Sequence, residues 1–272
     1  MRDFPTSPRE MFASLWRNRS LVIALTKREV IGRYRGSFLG LFWSFFNPLF
    51  MLAVYTFVFS VVFKARWGTG AESKAEFALI LFIGLIVFNL FADCAIRSPG
   101  LILSNVNYVK KVIFPLEILP FVTLASAFFH TAISLVVWVL AYTIFIGPPH
   151  ATIVYFPFVV MPLAFFVLGM LWTMSALGVY FRDLSQIVGL LTTVMMFVSP
   201  IFYPVDAVPK SYQVFIYLNP LMPAIAQMRN VMFFGINPDW SLLIAYWGAM
   251  LCIAWFGFFW FQKTRKGFAD VL

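Results

Sequence analysis

Charge disappears from this chain in long blocks. Residues 36–63, 77–92, 118–181, 184–205 and 240–262 contain no Asp, Glu, Lys or Arg, and the second block stays apolar past Asp93 to Ile96. A helix crossing about 30 Å of hydrocarbon needs about 20 apolar residues. Gly147-Pro148-Pro149-His150 divides the longest block in two, so the pattern predicts six membrane spans in an all-α, polytopic membrane protein.

The segments between blocks carry their own signals. Ser7-Pro8-Arg9-Glu10 offers an N-cap, a proline suited to the first helical position and a glutamate able to close a capping box, so a helix is expected to start there. Beyond it, apolar Met11, Phe12, Leu15, Trp16 and Leu25 mix with Arg17, Arg19, Lys27, Arg28, Arg33 and Arg35. That composition suits an amphipathic helix in the headgroup layer, and equally a basic segment that only enforces orientation. Residues 97–120 are too apolar for a disordered linker and predict a short helix. Residues 204–239 hold Pro204, Pro209, Pro220, Pro223 and Pro238 among apolar residues. Irregular backbone at membrane depth survives only where protein or a cavity covers it. One or two short re-entrant helices on the outer side are therefore expected, with a plain extracellular loop as the other reading.

Composition narrows the class. With 62% hydrophobic and 11% charged residues, the 272-residue chain has too much apolar surface for one soluble core. A net charge of +9 would point to nucleic acid only if the basic residues formed a stripe on a soluble domain; here they sit between spans, and no nucleic-acid partner is expected. With the N-terminus cytoplasmic, fifteen Lys and Arg fall inside and five outside (Lys64, Arg66, Lys74, Lys210 and Arg229), which predicts cytoplasmic termini. No cleaved signal peptide is expected, because the first apolar run follows some 35 polar and amphipathic residues. Three regions result: an interface segment (1–36), a six-span domain (37–262) and a cytoplasmic tail (263–272). Cys94 and Cys252 lie near or within spans and are expected to serve packing.

Several chemistries are missing. No GxxxxGK[ST] is present, so any ATP must be bound by another chain. His130 and His150 are isolated and make no metal site, His130 being expected as a satisfied polar group between helices; no cofactor is expected in this chain. Asp93 and Glu117 fall at span ends, where a carboxylate can reach water. No DxD or paired-carboxylate constellation speaks for an enzyme. Aromatics make up 19% of the chain, most of them expected as membrane-interface or lipid-facing residues.

Three stretches carry a family resemblance: LTKREVIGRYRGSFLGLFWSFFNPLF at 25–50, NVNYVKKVIFPLEILP at 105–120, and FRDLSQIVGLLTTVMMFVSPIFYPVDAVP at 181–209 with LNPLMP at 218–223. The chain resembles the ABC-2 type permeases that export O-antigen, capsule and teichoic-acid polymers. The resemblance implies a homodimer in a bacterial inner membrane, with two copies of a separate ATPase subunit binding ATP and Mg and a lipid-linked polysaccharide as substrate. It makes the Arg17–Arg35 segment the interface helix. Asn105, Tyr108, Lys110, Lys111 and Phe114 fall in the helix that couples to the ATPase, and Pro204, Pro209, Pro220 and Pro223 in the outer gate. A polymer needs a continuous path on which sugar rings stack, for which Phe42, Tyr55 and Phe197 are lining candidates. An ABC-2 permease for a small amphiphile or drug, and a membrane transferase acting on a lipid carrier, are the competing readings.

Overall fold

The structure, a computed structural model, describes residues 4–58, 74–110 and 114–272, and every regular element among them is helical. Helix α1 (Pro8–Arg17) begins where expected, with the Ser7 hydroxyl accepting from the Glu10 N–H at 3.2 Å. The capping box closes only on that side, because the Glu10 carboxylate turns to Arg17 at 2.5 Å. After α1 comes α2 (Arg19–Arg33). Both are amphipathic: Met11, Val22 and Leu25 are buried, while Phe12, Trp16 and Ile23 are exposed among the arginines.

The remaining elements are α3 (Trp43–Tyr55), α4 (Lys74–Arg97), the short α5 (Val106–Val109), α6 (Leu119–Phe145), α7 (Phe156–Tyr180), α8 (Leu184–Val198), α9 (Lys210–Tyr217), α10 (Met222–Arg229), α11 (Trp240–Thr264) and α12 (Phe268–Val271). Among the described residues, five helical stretches are long and apolar enough to cross a membrane: Gly40–Val58, Ala75–Arg97, Leu116–Phe145, Ala151–Tyr180 and Trp240–Val271. Helix α8 has 15 residues, about 22 Å at 1.5 Å per residue. The charge-free block 184–205 thus breaks early. Pro200 disfavours helical backbone at Ser199, which adopts φ −74°, ψ 142°.

Helix α4 is central, with 78% of its span buried, whereas only 11% of the α3 span is buried and α3 leans chiefly on α6. The most extensive pairing joins α7 and α11, and glycines permit it. A Cβ on Gly257 would stand 2.2 Å from the Gly169 carbonyl oxygen, and one on Gly169 2.6 Å from that of Ile253. Trp172, fully buried, packs edge-on against Phe121 and Phe258 with centroids 5.1 and 5.2 Å away, and its indole N–H donates to the Glu117 carbonyl at 3.1 Å.

Two expectations are corrected here. Glu117 does not reach water: its side chain is 8% exposed and accepts from Arg265 Nη1 at 2.6 Å and from Ser14 Oγ at 3.0 Å, because α1 and the end of α11 close over it. Of the cysteines, Cys94 is buried in packing, but Cys252 lies on the exposed face of α11.

Candidate functional site

At the end of the bundle that carries α2 and α5, the basic residues divide by role. Arg33 donates to Asp93 at 2.7 Å, Arg97 reaches Asp93 at 3.5 Å, and Arg97 also pairs with Glu29, so four charges bind α2 to α4. Arg28 Nη1 donates to the Tyr108 hydroxyl at 2.8 Å, and the Tyr108 ring stacks on Phe114 with centroids 4.1 Å apart and planes 5° from parallel. Three of the predicted interface and coupling residues therefore meet in one contact. The Asn105 amide, half-buried, donates back to the Leu101 carbonyl at 2.9 Å, while Lys110 is exposed. Lys111 lies outside the described residues. Arg19 donates to the Trp16 carbonyl at 3.0 Å and sits 5.1 Å over its ring, and Lys27 and Arg35 are exposed.

Between α3, α4, α6 and the end of α2 lies a cavity of about 550 Å³. Asn47 and Tyr55 enter it from α3, Asn89 and Asp93 from α4, and His130 and Ser134 from α6. Such groups are costly against hydrocarbon and are accommodated where a cavity can hold water or polar partners. The opposite face of α3, with Leu49, Leu52 and Phe57, backs an apolar groove of about 770 Å³. Helix α3 therefore partitions a polar space from an apolar one. Tyr34 also lines the cavity, its phenol pushed above its ordinary value by burial, with Arg33 opposing and Asp93 adding. Its hydroxyl stands 3.4 Å from His130 Nδ1. His130 is only half satisfied, because Nε2 is buried without a hydrogen-bond partner among the described residues.

Two of the three lining candidates come together. The Tyr55 ring lies 6.5 Å from Phe202, which lies 6.3 Å from Phe197, so an aromatic row runs from the cavity to the exposed face of α8. Phe42 stands apart, exposed at the start of α3 beside Phe45 and Phe46 at 6.1 and 6.2 Å.

At the other end, α9 and α10 form the pair of short helices expected from the prolines. Pro204 precedes the turn Val205–Ala207, Pro209 precedes α9, and Pro223 lies in the first turn of α10. The Pro220 carbonyl accepts from the Tyr246 hydroxyl at 2.7 Å. Asn219 pins the corner between the helices, donating to Ser199 Oγ and accepting from the Leu221 N–H, both at 2.9 Å. Sequence reasoning missed the role of Arg229, which it counted only among the outside basic residues. The side chain is buried and donates to the carbonyls of Pro200 (2.6 Å), Ile201 (2.8 Å) and Ile80 (3.3 Å). The available signal was isolation: Arg229 is the sole charge between Lys210 and Asp239.

Comparison with known proteins returns a consistent set. Residues 20–233 match the model of the ABC-2 type transporter family. The chain is 28% identical to the O-antigen export system permease protein RfbA of Myxococcus xanthus over 258 residues, covering 94% of this chain and 96% of that one. It is 28% identical to the capsule polysaccharide export inner-membrane protein CtrC of Neisseria meningitidis serogroup B, covering 93% and 94%. It is 24% identical to the polysialic acid transport protein KpsM of Escherichia coli, covering 79% and 81%.

Proposed function

Because the chain belongs to the ABC-2 type transporter family, we propose that it is the permease subunit of an exporter that moves a lipid-linked, O-antigen-like polysaccharide across a bacterial inner membrane, driven by a separate ATPase. The observation that carries this reading is the whole-length likeness to permeases named for O-antigen and capsule export. The polar cavity with its aromatic row supports it: sugar rings present C–H faces that pack on aromatic rings, and hydroxyls that bond to amides and water. The chain acts as a homodimer with two ATPase copies, which bind ATP and Mg. The Tyr108–Phe114 stack and Arg28 form the docking end, where a rigid element with two arrangements can pass on ATP-driven closure.

In this reading residues 1–36 form the interface segment, 37–262 the six-span domain and 263–272 a cytoplasmic tail. Helix α8, extended by the turn through Pro204, supplies the sixth crossing, and α9 and α10 are re-entrant helices of an outer gate. Both termini are cytoplasmic. Deleting the gene tests the assignment: cells should lose surface polysaccharide and trap lipid-linked polymer inside. Complete absence of polymer would point to biosynthesis instead.

A further inference from the structure

The Arg229 guanidinium joins three elements through one side chain. Pro200 and Ile201 lie just past the C-terminus of α8, where unsatisfied carbonyls concentrate negative potential, and Ile80 lies in α4. A planar fork of five donors can serve carbonyls in several directions, which a point-like ammonium does less well. Gly84, one turn after Ile80, supplies the room: a Cβ there would stand 2.9 Å from Arg229 Nη2 and 3.4 Å from the Ile201 Cα. The guanidinium is held at its carbonyls, so a methyl at position 84 displaces it from them. Ile201 is followed by Phe202, whose ring meets Tyr55 at the cavity. Loosening Arg229 would therefore weaken the tie of α10 to α4 and to the α8 corner, next to an aromatic ring that lies at the polar cavity.

Resting on the exporter assignment above, we propose that Arg229, seated in the notch at Gly84, is the positioning residue that holds the outer helix pair closed over the translocation path. The test uses the full permease–ATPase complex in liposomes loaded with a small fluorescent dye, without ATP. Gly84→Ala and Arg229→Lys should each speed dye loss about tenfold, the change in open population expected when a hydrogen bond to a charged group is lost. Yield, thermal midpoint and ATPase rate should stay near wild type, which a merely structural role would not allow. The double variant should leak no faster than the worse single, because both act on one contact. Dye retention equal to wild type in a folded single variant overturns the proposal, as does additive leak in the double. If one variant fails to fold, the other decides; unfolding of both makes Arg229 a folding contact and also overturns it. The dye assay contains no polysaccharide, so failure of the wild-type complex to move lipid-linked polymer under ATP would sink the exporter assignment separately.

Discussion

Replacing Glu117 by glutamine should open the buried clasp that ties the N-terminal helix to the bundle. The Glu117 carboxylate receives Arg265 at 2.6 Å and the Ser14 hydroxyl at 3.0 Å, with the two charged side chains 8% and 9% exposed. Removing one partner of a buried pair costs about 3–5 kcal/mol, because the other charge stays buried. Arg265 keeps two further contacts, the Gln262 side-chain oxygen at 3.1 Å and the Phe4 ring at 3.9 Å. These place the cost at the lower end, about 3 kcal/mol. Glutamine retains an oxygen for Ser14, so the change isolates the charge. At about 1.4 kcal/mol per tenfold, opening of α1 should rise about a hundredfold. Hydrogen exchange of the purified complex measures this directly: protection of amides in α1 should fall by that factor, while those of α7 stay unchanged. The apolar double variant Glu117→Leu/Arg265→Met should recover much of the loss, since no charge is left stranded. Wild-type protection of α1 in Glu117→Gln would refute the reasoning, as would a double variant worse than either single.

Three further outcomes are expected. Tyr55→Ala should lower surface polysaccharide per folded transporter by several-fold, from loss of stacking worth about 1 kcal/mol, with Tyr55→Phe milder; reduced thermal midpoints with normal export in both would make Tyr55 structural. Tyr108→Phe deletes the acceptor for Arg28, a loss of about 1.5 kcal/mol, and should raise the ATP hydrolysed per polymer exported without releasing the ATPase; an unchanged ratio counts against a coupling role. Gly257→Ala puts a methyl 2.2 Å from the Gly169 carbonyl and should destabilise the bundle by about 3 kcal/mol, read as a lower thermal midpoint; an unmoved midpoint would show that α7 and α11 separate freely.

What was legible in the sequence is what depends on neighbours along the chain. The start of α1 at Ser7-Pro8 and the two short helices among Pro204–Pro223 follow from capping and from the fixed φ of proline. Five of the six expected spans become membrane-length helices among the described residues for the same local reason, whereas the block at 184–205 yields only the 15-residue α8. What depends on partners far away was not legible. Glu117 read as a water-reaching carboxylate because Arg265 lies 148 residues on, and Arg229 counted only as an outside charge because its carbonyls come from α4 and the α8 corner. Counting basic residues orients a membrane protein but cannot tell a solvated cation from a buried one. Among the lining candidates, Tyr55 shares its cavity with Asn47, on the same side of α3, whereas Phe42 belongs to the exposed entry of the same helix, a rotation that one sequence does not reveal.

The glycine contact between α7 and α11 has a mechanical consequence. Two helices whose backbones touch at Gly169 and Gly257, with Trp172 wedged beside Phe258, have no compliant side-chain layer to absorb a push. They behave as a stiff beam. Helix α3, by contrast, is little buried and packs chiefly on α6. A force applied to α7 or α11 is therefore passed to the other with little loss in bending, and it is the absence of two side chains that makes the joint stiff.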